Sequence, residues 1–289
     1  MVELILIAVF FVLLFMGVPV AFAIGLATIA ALCLSINEIA ALTTVAQRMA
    51  GGINSFALLA IPLFILSGQL MSSGGIAQRL VHFARCLIGM LPGGLAFVNV
   101  VSCTLFGSIS GSAVAATSSV GGVMVPAMEE EHYPREFSAA LTATAATTGL
   151  LIPPSNILIV YAVASGGVSV AALFVAGYLP GLLVALALMV VCAGYARRRG
   201  LTGTAFVGFA ELFRSFIAAA PSLLLLVIII GGILAGVFTA TEAGAIAVLY
   251  ALALSLFYGE TRLNDLPPIF LKATSTTAIV MLLVGTSMA

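Results

Sequence analysis

Of 289 residues, 63% are hydrophobic and 7% are charged, against about 25% charged in a soluble globular domain; the chain has no large aqueous surface to cover. Ten basic and ten acidic residues cancel, which leaves no electrostatic footprint for nucleic acid. The four cysteines and two histidines stand apart, without metal-ligand spacing or a nucleophile beside a base, which argues against an enzyme.

The N-terminal run is apolar from the start, with Glu3 its only early charge, and continues to Ser35. It lacks the basic region and cleavage site of a signal peptide and reads as a retained membrane segment. A helix crosses the hydrocarbon core in about 20 apolar residues. Runs of this kind lie at 4–34, 56–71, 87–105, 137–164, 170–192, 216–237, 243–257 and 273–289. Some exceed one straight span, and several are interrupted by Gly or Pro. Lipid tolerates such breaks only where protein or a water-filled cavity covers the freed backbone.

The connections are short and polar. Arg79, His82 and Arg85 recur at three-residue steps between Gly74-Gly75 and Pro92-Gly93-Gly94, which predicts an amphipathic helix at the membrane interface with a solvated polar face. Glu129-Glu130-Glu131-His132, with Arg135 and Glu136, reads as a polar loop. Arg197-Arg198-Arg199 closes a span and is placed on the cytoplasmic side, where basic residues at span ends accumulate.

The sequence also resembles itself. Gly17-Val18-Pro19-Val20-Ala21-Phe22-Ala23-Ile24-Gly25 precedes a small-and-aliphatic helix. Gly236-Val237-Phe238-Thr239-Ala240-Thr241-Glu242-Ala243-Gly244 does the same. Internal repeats, usually inverted, are how many secondary transporters are built. In the first copy Arg48 precedes the run 56–71, and in the second Lys272 precedes the run 273–289. Nothing in the second half answers to 68–192. The expectation is a fragment, or a half-architecture that another chain completes, unable to finish a transport cycle alone.

Two interruptions carry the chemistry. In residues 106–119, six hydroxyl residues and two glycines sit between apolar flanks. A re-entrant hairpin tip needs such residues, because its chain reverses at membrane depth and its carbonyls must find partners; hydroxyls and carbonyls are hard oxygen ligands for a small cation. Packing of small residues between helices is the competing reading.

The second interruption is Thr147-Thr148-Gly149-Leu150-Leu151-Ile152-Pro153-Pro154-Ser155-Asn156. Proline lacks an N–H and clashes with the carbonyl four residues back, so Pro153 releases the carbonyl of Gly149 and Pro154 that of Leu150. The half-helix beyond the break begins with free N–H groups and a positive dipole end. That end suits a carboxylate, and the loose carbonyls suit Na+. Ser155 and Asn156 sit where they either cap the new helix or touch substrate.

Glu242 is the one acid embedded between apolar runs, which makes it a functional candidate. Thr239 precedes it by three residues, however, as in a capping box, and the cap is the preferred reading.

These residues resemble the large membrane subunit of TRAP transporters, the tripartite ATP-independent periplasmic carriers. Three stretches carry the resemblance: Ser110-Gly111-Ser112-Ala113-Val114-Ala115 running on to Met124-Val125-Pro126-Ala127-Met128, Gly149 through Ser155 with the double proline, and the repeat around Gly236 to Ala243. The chain corresponds to about the first two thirds of a family member.

The resemblance implies an all-α integral membrane fold of two inverted repeats working as an elevator, each with a re-entrant helical hairpin and a discontinuous helix. Residues 1–75 are then scaffold-type helices of the first repeat. Residues 76–195 are its transport part, and 196–289 begin an incomplete second repeat. The function implied is Na+-driven uptake of an organic acid such as a C4-dicarboxylate or sialic acid. A small membrane subunit and a periplasmic binding protein are the implied partners. Na+ serves as the coupling ion, with no other cofactor. Its site carries over to Ser110 and Ser112 at the tip and to backbone carbonyls at Gly149, Ile152 and Pro154. The candidate substrate contacts are Ser112, Ser155 and Asn156. The sequence departs from the family at Ala116, where many members carry an acid, and in lacking the second hairpin. A symporter without a binding protein, and a channel or scaffold subunit, are the alternative readings.

Overall fold

The computed structural model describes residues 2–73, 75–204, 207–259 and 261–289; Gly74 of the expected Gly74-Gly75 break lies outside them. The regular secondary structure of the described residues is all helical, without strands.

The expected run 4–34 is two helices, α1 (Val2–Phe15) and α2 (Val20–Cys33). Gly17 separates them at φ 82. The Val18 amide donates to the Leu13 carbonyl at 3.0 Å, the long bond of a Schellman turn, which a left-handed glycine allows without strain. Each helix is 14 residues long, roughly 21 Å, short of a full hydrocarbon core. α3 (Glu38–Ile53) begins at Asn37, whose side chain accepts from the Ile39 amide. A 3-10 turn (Phe56–Leu59) runs into α4 (Ala60–Ser73).

α5 (Ile76–Ile88) buries Ile76, Ala77, Leu80, Val81 and Ala84 along one side, as the amphipathic pattern predicts. Its polar face is not uniformly solvated. The Arg79 guanidinium lies 3.6 Å from the Tyr258 ring centre, and His82 Nε2 is 3.1 Å from Glu211 Oε1.

α6 (Gly94–Ser110) and α7 (Ala113–Glu130) form a helical hairpin. The expected run 87–105 is therefore displaced. Leu87 and Ile88 close α5, Gly93 turns the chain at φ 79, and the new helix continues to Ser110. Fourteen of the 17 residues of α6 are buried, so protein, not lipid, surrounds it. The polar loop holds, though Glu129 and Glu130 still belong to α7; Arg135 Nε lies 3.3 Å from Glu129 Oε1.

α8 (Arg135–Ala146) and the short α9 (Thr148–Leu151) are followed, after a break, by α10 (Asn156–Ala164). The two arms are bent by 52°. α11 (Val170–Arg199) ends on the arginine triplet, where positive charge complements the helix dipole. α12 (Phe209–Leu234), α13 (Ala240–Phe257) and, after a 3-10 turn (Leu263–Asp265), α14 (Leu266–Ser287) complete the chain. α14 begins seven residues before the expected run because prolines suit a helix's first turn. Lys272 thus lies inside the last helix, not ahead of it.

At the turn before α13 the repeat is visible in the backbone. Gly236 stands at φ 71, and the Val237 amide donates to the Gly232 carbonyl at 2.9 Å, matching Gly17 and Val18. Beyond these turns the first copy continues through α2 to the separate helices α3 and α4, and the second through α13 to α14.

Five helices among the described residues are long and apolar enough to cross a membrane, and the bent pair makes six. The protein is a multi-pass membrane protein. Its helix directions follow from the contacts. α11 ends and α12 begins on one face, joined by residues 200–208. α12 then crosses. On the far face Thr241 Oγ1 donates to the Phe56 carbonyl at 3.1 Å, which puts the starts of α13 and α4 side by side. Ser73, Thr261 and Asp265 therefore return to the face of Arg197, Arg198 and Arg199. The hairpin also opens there, since a methyl on Gly93 would lie 2.3 Å from Ala196 Cβ.

Candidate functional site

The hairpin reverses over two residues, and both residue types are dictated by the backbone. Gly111 ends α6 at φ 61, its amide donating to the Gly107 carbonyl at 2.8 Å. Ser112 is extended, and its hydroxyl accepts from the Ala115 amide at 3.2 Å. Glycine fits the left-handed C-cap and serine the N-cap. Ser110 is buried, and its hydroxyl donates to the Ser112 carbonyl at 3.4 Å.

The prolines break the second segment completely. The last helical amide before them, of Ile152, donates to Thr148, and α10 begins anew at Asn156. Of the two carbonyls that the prolines release, that of Leu150 is recaptured: Ser155 Oγ donates to it at 2.5 Å. Ser155 is fully buried and makes no side-chain cap. Its hydroxyl points back into the break, not outward.

The two interruptions meet. A methyl on Gly107 would lie 2.7 Å from Gly149 Cα, and one on Gly149 would lie 2.3 Å from Gly107 Cα. Such distances mean that the backbones touch. Thr104 Oγ1 and Thr148 Oγ1 are hydrogen-bonded at 2.8 Å beside this contact. Further up, a methyl on Gly111 would be 3.1 Å from the Pro154 carbonyl oxygen and 3.5 Å from Asn156 Nδ2. The carboxyl ends of α6 and α9 and the amino ends of α7 and α10 thus converge. Two negative and two positive dipole ends face one small volume.

Flanking helices clamp this arrangement. Gly68 of α4 packs on the Ser110 carbonyl, and Gly177 and Gly181 of α11 pack on Leu151 and Ile152. Ser110, Ser112 and Asn156 line a cavity of ≈ 240 Å³ together with Gln69 of α4 and Thr276 of α14. Gly149, Ile152 and Pro154 do not line it. They are buried beneath, with Gly149 against Gly107 and Ile152 turned toward α11. Asn156 Oδ1 is buried without a hydrogen-bond partner.

No charged side chain lines the cavity, and among the described residues no three of His, Cys, Asp or Glu cluster. The oxygens on offer are neutral hydroxyls, amides and carbonyls, a set suited to a monovalent cation rather than to a transition metal. Ala116 is fully buried behind the tip. Glu242 is the cap: its Oε2 accepts from the Thr239 amide and hydroxyl, each at 2.8 Å, while Thr239 Oγ1 accepts from the Glu242 amide. It takes no part in the cavity.

Sequence reading missed the clamp. The spacing Gly177-x-x-x-Gly181 signals close helix approach in membranes, and Gln69 is the lone amide in its apolar run. Thr276 carries no such signal.

Residues 7–289 match the family described as tripartite ATP-independent periplasmic transporter, DctM component. The chain is 51% identical over 279 residues to the uncharacterized protein YgiK of Salmonella typhimurium, covering 96% of this chain and 64% of that protein. It is 41% identical over 273 residues to the sialic acid TRAP transporter large permease protein SiaM of Vibrio cholerae, covering 94% and 63%. To the C4-dicarboxylate TRAP transporter large permease protein DctM of Rhodobacter capsulatus it is 35% identical over 282 residues, covering 93% and 64%. The chain therefore spans just under two thirds of the length of these relatives.

Proposed function

The chain belongs to the DctM component family of tripartite ATP-independent periplasmic transporters, and from that premise we propose that it is the membrane-embedded portion of a Na+-coupled importer of an organic acid. The relatives it matches are named as permease subunits for sialic acid and C4-dicarboxylates, which supports a carboxylate-bearing cargo. A small membrane subunit and a periplasmic binding protein that delivers the acid complete the transporter. The chain catalyses no covalent step.

One observation carries the reading: the hairpin tip at Gly111 abuts the proline break at Pro154. The helix carboxyl ends and the Ser110 and Ser112 oxygens form the cation side. Na+ sits there with carbonyls of Gly149, Ile152 and Pro154 in its shell. The amino ends of α7 and α10, with Ser112 and Asn156 on the cavity wall, form the anion side. Filling the cation side neutralises the carbonyl ends and so strengthens carboxylate binding beside them, which couples the two solutes. The buried, partnerless Asn156 Oδ1 supports a polar occupant in the cavity. Ser155 then acts by covering the Leu150 carbonyl and fixing the break.

The test is uptake into proteoliposomes holding the complete transporter with its binding protein, using sialic acid and C4-dicarboxylates. Uptake should collapse without an inward Na+ gradient and fall in Ser110→Leu and Ser112→Leu variants. Uptake indifferent to Na+ rejects the coupling.

A further inference from the structure

The cavity at the hairpin tip is not closed off from the surface. Gln69 and Thr276 stand on its wall. Gln69 also lines a second cavity of ≈ 430 Å³, together with Ser72, Thr261, Asp265 and Lys272. Lys272 and Thr276 are one turn apart on the same face of α14, and Thr276 Oγ1 donates to the Lys272 carbonyl at 2.9 Å. The two cavities are thus neighbours along α4 and α14, with Gln69 on the wall of both. Their outer end, at Ser73 and Asp265, lies on the face of the arginine triplet, which the distribution of basic residues makes cytoplasmic.

Two observations mark this groove as wet. Its outer part is lined by hydroxyls, an amide, an acid and a base inside a strongly apolar protein. Two buried oxygens along it lack partners, Asn156 Oδ1 at the tip and Thr261 Oγ1 near the mouth, and Thr261 is only 4% exposed. A buried oxygen left without a partner costs about 1–3 kcal/mol, and water in the groove removes that cost. Its charges are not equivalent either. The Asp265 carboxylate already accepts from the Arg262 amide at 2.8 Å, whereas Lys272 makes no ion pair among the described residues.

We propose that the groove between α4 and α14 is a water-filled path along which an organic anion passes between the hairpin tip and the arginine-bearing face, and that Lys272 selects for anions in it. The proposal rests on the organic-acid reading and adds to it the route and the residue that governs it. A cation on the wall of a groove raises the local anion concentration and lowers that of cations.

The test needs no transport. In the complete transporter with Cys33→Ala, the one partly exposed native cysteine being removed, Thr276→Cys and separately Gln69→Cys are placed in inside-out vesicles. Each is treated with two membrane-impermeant methanethiosulfonates, one anionic (sulfonatoethyl) and one cationic (trimethylammonioethyl), with rates normalised to a free thiol. Ala278→Cys, at an exposed site on the opposite side of the same helix that lines neither cavity, is the control. Both groove cysteines should react and Ala278→Cys should not. The anionic reagent should react faster, and Lys272→Gln should slow it on the order of tenfold while leaving the cationic reagent no slower. Two groove cysteines as inert as the control overturn the path. Labelling without charge preference, or a preference that survives Lys272→Gln, overturns the role of Lys272. Na+-dependent uptake of the organic acid is scored separately: its failure with labelling intact removes the proposed cargo and leaves the groove standing.

Discussion

Gly149→Ala probes the contact on which the site depends. The added methyl would sit 2.3 Å from Gly107 Cα, whereas carbon atoms rest at about 3.5–4.0 Å. More than an ångström of overlap must be relieved, and the obstacle is backbone, which cannot rotate away. Overpacking of this kind costs about 1–3 kcal/mol. Gly122→Ala in α7 is the matched control. A methyl there meets nothing within 4 Å, and the exchange in a helix interior should stabilise by roughly 0.5–1 kcal/mol. The assay is thermal unfolding of the complete transporter in detergent, with and without saturating Na+. Ion binding to the folded state raises stability according to the ratio of concentration to Kd. Gly149→Ala should lower the midpoint and, by separating the tip from the break, lose most of the Na+-dependent rise. Gly122→Ala should keep both. A Gly149→Ala protein with the midpoint and Na+ response of the control refutes the reasoning.

Gly111→Val should be more damaging than Gly111→Asn, because a left-handed φ of 61 costs a β-branched residue at least the ~1–2 kcal/mol of an ordinary L-residue while asparagine tolerates it; the same melting assay ranks them. Ser155→Ala uncovers the Leu150 carbonyl and should destabilise by about 1–3 kcal/mol, with Ser155→Thr, which keeps the hydroxyl, recovering most of that loss. Glu242→Ala should lower stability through loss of the capping box yet leave the Na+ dependence of uptake unaltered. An altered Na+ stoichiometry in that variant would return Glu242 to the coupling machinery.

What was legible in the sequence was chiefly what proline and glycine enforce. Pro153 and Pro154 specify a break wherever they stand, and Gly111 with Ser112 specifies a tight reversal, so both interruptions were found at the correct residues. Helix limits read from apolar runs were less exact, since hydropathy cannot tell lipid from protein as the neighbour. α6 is as greasy as a span but lies inside the fold, and α14 starts among prolines and carries Lys272, which a search for uninterrupted apolar residues leaves out. The fate of individual polar groups was the least legible. That Ser155 turns to Leu150, that Gln69 and Thr276 reach the tip, and that Arg79 settles over Tyr258 depend on which helices become neighbours. Only the tertiary arrangement decides that.

The most direct measurement is a high-resolution map of the complete transporter prepared in Tl+ as a heavy stand-in for Na+. The account predicts a peak between the Ser110–Ser112 turn and the carbonyls of 149–154, with Gly107 and Gly149 still in backbone contact below it. A peak elsewhere, or other side chains wedged between that turn and the proline break, would contradict it.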